Sequence, residues 1–505
     1  MQTSAKLSSA FSSSQLLDRI LKRKTQKPEA SSLDLEESAA SLSCAFSDKA
    51  PSFAEHPTYK QFRLMEAAAE RFHIGNPFFK VHEGQGGART VIAGREYCNF
   101  SHYNYLGLNG HPAVCAAARE AIDHYGTSAG ASRLVAGERP IQRELEQALA
   151  QAYGTEDCVV FVSGHATNVS TIATLFGPRD LILHDSQIHN SIVEGCRLSG
   201  AARHPFPHNK LDALEEFLAS SRRRFEQVLI VVEGHYSMDG DIADLPKLIT
   251  LKRKYGAFLM VDEAHSLGVL GAHGKGLAEH FGIEGRDVDI WMGTLSKTLA
   301  TCGGYIAGSR ALVDILKFAA PGFVYSVGIS PPLAAASLQA LHLMLAEPER
   351  VQRLRNNTRL FLSLAQAEGL DTGLSAGFAI VPIIAGSSRK AITLSNQLSS
   401  YGINVQPIIH PAVEEKSARL RFFCSSEHTE ADIRRTVRVL SALIQEKQIS
   451  DAEKTWGTAG TTASAVSFNR SSIPSDLAVA TQMNQTGAAI QVLQTDPSAQ
   501  GVVCK

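Results

Sequence analysis

Phe258-Leu259-Met260-Val261-Asp262-Glu263-Ala264-His265, followed by Ile290-Trp291-Met292-Gly293-Thr294-Leu295-Ser296-Lys297, decides the fold. Each stretch is a short apolar run that breaks into polar residues. That is the pattern of a buried parallel strand whose carboxyl end opens onto a ligand crevice. Working outward, further strands are predicted at 159–162, 181–184, 228–232 and 305–307, beside those at 258–261 and 290–292. Leucine spacing predicts an amphipathic helix at 211–222, and Asp244 stands as N-cap before a second at 245–255. Strands alternating with helices predict an α/β fold with a mostly parallel sheet covered on both faces. From about residue 331 longer helices take over, then short strands near 378–384 and 420–423, which predicts a second, smaller α+β lobe.

Composition narrows the class. The 505 residues are 44% hydrophobic with 39 glycines, enough for an α/β enzyme of two lobes. Lys plus Arg (49) nearly balances Asp plus Glu (50), so no basic field is available for nucleic acid or an anionic membrane. Cys44, Cys98, Cys115, Cys158, Cys196, Cys302, Cys424 and Cys504 form no CxxC pair, so neither a metal ribbon nor a disulfide scaffold is expected. No apolar run reaches the about 18 residues of a transmembrane segment. Residues 1–27 are rich in Ser, Lys and Arg with Asp18 the single acid. That fits a disordered tail in a cytoplasmic protein, or a mitochondrial transit peptide. Residues 1–55 and 450–505 are read as a flexible extension and tail. They flank an N-terminal segment at 56–110, a large domain at 111–330 and a small C-terminal domain at 331–449.

Polar residues directly after the apolar runs carry the chemistry: Ser163-Gly164-His165, the stretch 233–239, Asp262 to His265, and Gly293 to Lys297. Singly each has a plain structural reading, an Asp as helix cap or a Lys in solvent. Together they suit a cofactor with three needs: a carboxylate for a ring-nitrogen cation, an amine for an aldehyde, and hydroxyl and backbone N–H groups for a phosphate. Asp262, Lys297 and the pair Gly164 with Thr294 supply these in order. Gly274-Lys275 hints at a nucleotide loop. However, Val269 occupies the required first glycine and Gly276 the required Ser or Thr, so it is read as a flexible turn.

Asn99-Phe100-Ser101-His102-Tyr103-Asn104-Tyr105-Leu106-Gly107-Leu108 resembles the opening motif of the α-oxoamine synthases, pyridoxal-phosphate-dependent acyltransferases of the aspartate aminotransferase fold (fold type I). Gly126 to Arg133, Ser163 to Asn168, His189 to Gly195, Glu233 to Gly240, Asp262 to Ser266 and Gly293 to Lys297 follow in the family's order, so the resemblance spans roughly residues 58–445. It implies a seven-stranded sheet in a domain that binds pyridoxal 5'-phosphate. It further implies condensation of a small amino acid (Ser, Gly or Ala) with an acyl thioester on coenzyme A or a carrier protein, with loss of carbon dioxide, to an α-aminoketone. The resemblance makes Lys297 the covalent anchor and base, and Asp262 the partner of the ring nitrogen. His189 stacks on the ring, Ser237 and His265 meet its 3-oxygen, and Gly164, His165 and Thr294 hold the phosphate. Arg421 binds the amino-acid carboxylate, with Tyr103 and Cys424 as further substrate contacts. Arg419 is read as lying on the other face of its strand, as a structural residue. Ser326, within Tyr325-Ser326-Val327-Gly328, resembles a segment that crosses into a partner's site, which implies a homodimer with shared active sites. His165 replaces an aromatic common in the family, Val327 a residue that could offer a phosphate hydroxyl, and Cys424 a frequent Thr. Tyr103 before Asn104-Tyr105-Leu106-Gly107 favours a long acyl group, with simple packing as the alternative. Arg222-Arg223-Arg224 is a candidate docking run for an acidic carrier. An aminotransferase or lyase on the same fold, or a non-catalytic regulatory subunit of the same family, stays open.

Overall fold

The computed structural model describes residues 52–71 and 75–446, so most of the predicted N-terminal extension and the whole C-terminal tail lie outside the described residues. The chain divides into two units, Met1–Asn76 and Pro77–Lys505. In the first, a short turn at Phe53–Glu55 precedes a helix at Pro57–Arg71.

The second unit holds three sheets. A small one combines β1 (Arg89–Ile92), β2 (Arg95–Asn99) and β11 (Ile403–Asn404). The large one contains β3 (Asp157–Phe161), β4 (Leu181–Asp185), β5 (Ala202–Phe206), β6 (Val228–Glu233), β7 (Phe258–Asp262), β8 (Ile290–Thr294) and β9 (Gly304–Gly308). Its order is β3-β9-β8-β7-β6-β4-β5, with β9 antiparallel to both neighbours and the other six parallel to one another. The seven-stranded, mostly parallel sheet of fold type I is therefore present. The third sheet, β10 (Ile380–Ile384), β13 (Arg419–Phe423) and β12 (Pro407–Ile408), is antiparallel and lies in the C-terminal lobe with helices Ser388–Ser400 and Glu430–Ile444.

Local sequence explains these elements. Strands β3, β4 and β6 are buried at every position, as a parallel sheet covered on both faces requires. The helix at Leu245–Tyr255 starts where Asp244 accepts the Lys247 N–H at 3.1 Å and stops at Gly256, left-handed at φ 57°. It buries Leu245, Leu248, Ile249 and Leu251, one stripe at helical spacing. Gly268 N–H donates to Gly274 O at 2.7 Å and Gly276 N–H to Leu270 O at 3.0 Å. The glycine-rich turn thus closes on itself around the buried Glu263, which accepts the Leu277 N–H, and it is no phosphate loop.

Arg222-Arg223-Arg224 immediately precedes β6, at the amino end of the sheet, and Arg222 donates to the carbonyls of Tyr255, Phe225 and Gly256. Arg222 thus ties down a helix end while Arg223 and Arg224 are exposed, and the run lies at the amino end of the sheet, away from the carboxyl ends of the strands.

A buried ion-pair cluster fixes β3. Arg133 bonds Glu138 at 2.6 Å and is paired with Glu146, whose carboxylate also takes the Val160 N–H at 2.9 Å and Lys317 Nζ at 3.2 Å. Removing one member of a buried pair leaves the other charge uncompensated. Glu146→Ala is expected to lower the unfolding free energy by about 3–5 kcal/mol, read as an earlier urea midpoint; a shift under about 1 kcal/mol would contradict this reading of the cluster.

Candidate active site

Carboxyl ends of β3, β4, β6, β7 and β8 converge on a cavity of about 360 Å³. Ser163, Gly164 and His165 enter from β3, and His189 from β4 at the start of the helix Asn190–Ser199. Glu233 and Ser237 come from β6, Asp262 and His265 from β7, and Thr294 and Lys297 from β8. Tyr103 and Arg421 close it from outside the large sheet. A second cavity of about 430 Å³, beside Phe258 and Ile290, holds none of the predicted groups.

Asp262 is buried at 3% exposure. Its Oδ1 accepts the Ala264 N–H at 2.9 Å and its Oδ2 the Asn168 amide at 3.0 Å. Asn168 donates also to Ser191 Oγ at 3.0 Å, and Ser191 Oγ lies 2.7 Å from His189 Nδ1. The Ser191 backbone N–H also donates to Nδ1 at 3.3 Å, so Nδ1 acts as an acceptor, which places the proton of the neutral His189 ring on Nε2. Burial lowers the His189 pKa, with Asp262 opposing, so the ring stands neutral at neutral pH.

His265 Nδ1 sits 2.7 Å from the hydroxyl of Tyr105, a phenol fully buried and pushed well above its usual pKa by that burial. With the protonated phenol as donor, Nδ1 accepts and the His265 ring carries its proton on Nε2. Burial lowers the His265 pKa well below its usual value. Glu233 accepts the Ser237 N–H at 3.1 Å through Oε2, while Oε1 has no partner. Burial first and Asp262 second raise its pKa. Burial pushes the Lys297 amine down to about 8, against Asp262 and Glu233, and its Nζ stands 5.5 Å from the Tyr103 ring centroid.

Arg421 Nη1 donates to Ser237 O at 3.0 Å, its guanidinium packs on Phe423, and its Nε is buried without a partner. No carboxylate pairs with it among the described residues. Thr294 Oγ1 donates to Gly303 O at 3.0 Å and accepts the Ser296 N–H at 3.2 Å. A Cβ on Gly164 would come within 2.9 Å of that oxygen, so glycine allows the helix start to reach it.

Two expectations change. Arg419 and Arg421 lie two apart on β13 and share a face, Arg419 reaching Asp239 and the Met238 carbonyl and Arg421 the Ser237 carbonyl. The structural role of Arg419 stands, but not the opposite face. Cys424 points the other way from Arg421, is fully buried with its thiol toward Thr358, and does not line the cavity. It is no substrate contact. Ser326 is half-buried in an outer strip and does not line this chain's own cavity. Roles for Asn168, Ser191, Glu233 and Tyr105 were not assigned from sequence. Asn168 follows Gly164 by one helical turn, the one signal that could have placed it on the cavity side.

The donor set fits pyridoxal phosphate: a buried carboxylate, a buried amine, a helix start for an anion and a partnerless guanidinium donor. The sequence pattern of the family Aminotransferase class I and II matches residues 95–440. The 8-amino-7-oxononanoate synthase of Symbiobacterium thermophilum is 42% identical over 345 residues, 68% of this chain and 88% of the relative. That of Geobacter sulfurreducens is 41% identical over 365 residues, 72% of this chain and 93% of the relative. Among solved structures, serine palmitoyltransferase from S. paucimobilis with bound PLP and myriocin superposes with a TM-score of 0.75 at 28% identity, covering 78% of this chain and 99% of that one. With the family's cofactor groups in one cavity, the chain belongs to the aminotransferase class I and II family and, within it, to the pyridoxal-phosphate-dependent α-oxoamine synthases.

Proposed function

We propose that this acyltransferase condenses a small amino acid with an acyl thioester and releases carbon dioxide, giving an α-aminoketone. The observation that carries the reading is the buried Arg421 guanidinium, without a carboxylate partner, in the same cavity as the Lys297 amine and the Asp262 carboxylate. A guanidinium with free donors takes a substrate carboxylate in fixed orientation, which suits an amino acid.

When bound, pyridoxal phosphate supplies an electron-accepting ring conjugated to the substrate Cα. Lys297 holds its aldehyde, Asp262 its ring nitrogen and His189 its ring face. The Gly164 and His165 N–H groups with Thr294 hold its phosphate, and Ser237 with the Nε2–H of His265 its 3-oxygen. Ala264 and Asn168 donate to the two Asp262 oxygens and would fix the orientation of its carboxylate toward the ring nitrogen. Lys297, with a pKa near 8, can both take and return a proton at Cα. Arg421 orients the carboxylate, and Tyr103, 42% exposed at the cavity, stands where an acyl donor enters.

Ser326 belongs to a strip that exposes Tyr325 at 87% and Val327 at 49%, tied by the Gly328 N–H to Ala131 O near the exposed Val135. We assign this strip to a homodimer contact that brings Ser326 to a partner's site. Tyr325→Asp with Val135→Asp is expected to convert dimer to monomer in light scattering; a wild-type monomer, or an unchanged dimer in the variant, would refute it.

The reaction is tested with Gly, Ala and Ser against short and long thioesters on coenzyme A and on a carrier protein. Carbon dioxide release that requires thioester is expected. Amino-group transfer to a 2-oxo acid without thioester would replace the proposal. Lys297→Ala should reduce turnover by about a thousandfold or more, with the urea midpoint near that of wild type.

The lowered amine pKa has a second consequence. Neutral amine attacks an aldehyde, so cofactor capture by the apo-protein should rise with pH and reach half its maximum near the about 8 of Lys297. Stopped-flow absorbance at stepped pH measures this; a profile still rising in parallel with ordinary lysine, toward about 10.4, would show an unperturbed amine.

A further inference from the structure

Beside the cavity lies an acid–histidine–acid bridge that none of the roles above uses. Asp185 ends β4 and is fully buried. Its Oδ1 accepts the Gln187 N–H at 2.8 Å and lies 2.9 Å from His208 Nδ1, while its Oδ2 accepts the Asn209 N–H at 2.8 Å. On the other side, His208 Nε2 lies 2.9 Å from Asp241 Oδ2, which also takes the Asn209 amide at 2.7 Å. Both ring nitrogens therefore face carboxylate oxygens, and a doubly protonated ring is the species that satisfies both. Burial alone would lower the pKa of His208; the bonds to Asp185 and Asp241 overcome it and push the value up to about 10. The Tyr236 ring meets the imidazole edge to face, with centroids 4.4 Å apart.

What the bridge joins gives it a use. Asp185 opens the turn that delivers His189, and Ile188 N–H donates back to its carbonyl at 3.4 Å. Asp241 closes the turn that delivers Ser237: its carbonyl accepts the Tyr236 N–H at 2.9 Å and meets His235 Nδ1 at 3.0 Å. His208 stands on the connection after β5, where Asn209 is held left-handed at φ 53° with its N–H and side chain bound to the same two acids. A residue in the left-handed region kept in place by one buried carboxylate, Asp185, and one partly buried one, Asp241, marks an over-determined joint.

We propose that His208 is a positioning residue that ties together the two turns bringing His189 and Ser237 to the cavity. The proposal rests on the assignment of those residues as cofactor-holding groups. His208 touches neither cofactor nor substrate; it sets where the groups that do so stand, and small displacements of such groups lower rates steeply.

The test uses the full chain as wild type, His208→Ala, His208→Gln, Asp241→Asn and a control, Lys252→Ala, which removes the 2.7 Å ion pair to Asp289 at the amino ends of the strands. Apo-proteins are titrated with pyridoxal phosphate for Kd and for the visible circular dichroism of the bound ring, and kcat and KM are measured alongside Tm. His208→Ala is expected to raise the Kd and lower kcat by about tenfold or more each, to change the dichroic band, and to leave the amino-acid KM within about threefold. His208→Gln, which keeps one of two bonds, should fall between, and Asp241→Asn should resemble it; these two carry the test should the alanine variant not fold. Lys252→Ala should lower Tm while Kd and dichroism stay at wild type. Wild-type Kd, dichroism and kcat in both His208→Gln and Asp241→Asn would overturn the proposal. So would the same losses in Lys252→Ala at an equal drop in Tm, since they would then follow from stability alone. A wild-type protein that binds no pyridoxal phosphate would overturn the site assignment itself, and this proposal with it.

Discussion

A carboxylate at the carboxyl end of a buried strand must be met by donors, and much of the cavity follows from how Asp262 is met. The Ala264 N–H is local and comes with the turn after β7. The second donor, Asn168, comes from the helix Gly164–Leu175 and is itself held by Ser191 at the start of the helix Asn190–Ser199. Satisfying one acid thereby fixes two helix starts, one offering backbone N–H groups to an anion and the other carrying His189. Strand register adds a neighbour: Glu233 pairs with Asp262 across β6 and β7. Two acids on adjacent strand ends, with the Lys297 amine close by, set opposing pulls. Burial lowers the amine pKa, the acids raise it, and the balance near 8 lets it exchange protons at neutral pH.

Apolar strands of the large sheet were legible because burial on both faces leaves an unbroken apolar run, as in Val228–Glu233. Strand β5 was not. Ala202-Arg203-His204-Pro205-Phe206 is polar, alternates in burial, and carries a proline that only an edge strand tolerates. The small sheet escaped notice for a different reason: β1 and β2 form a short hairpin, and only β2 pairs with Ile403–Asn404, a contact from the far end of the chain with no local pattern. Most site residues were legible as polar groups at strand ends. The hydrogen bonds that give Asn168, Ser191 and Tyr105 their roles run between elements distant in sequence and could not be read locally.

Where residue roles were misread, the two-residue period of a strand accounts for it. On β13 the odd-numbered Arg419, Arg421 and Phe423 turn toward the 237–239 turn and the cavity, while Leu420, Phe422 and then Cys424 turn into the core of the C-terminal lobe. Motif position placed Cys424 with substrate, and a miscounted alternation placed Arg419 on the wrong side. Period and burial together separate a guanidinium that pairs with Asp239 from one whose Nε stays partnerless.

The single reversed strand completes the anion cradle. Because β9 runs antiparallel between β3 and β8, the chain leaving Phe161 and the chain leaving Thr294 meet on either side of Gly304, the first residue of β9. A Cβ at Gly304 would stand 2.6 Å from the Gly164 Cα, and one at Gly164 would stand 2.9 Å from Thr294 Oγ1. Side chains at either position would drive the helix start away from the β8 end. With glycine at both, the orphan N–H groups of the first helical turn and the Thr294 hydroxyl stay close enough to act on one anion. The proposed phosphate site thus depends on missing side chains as much as on present ones. Here the reversed β9 presents its first glycine, Gly304, to the cavity between the ends of β3 and β8, which leaves room for both.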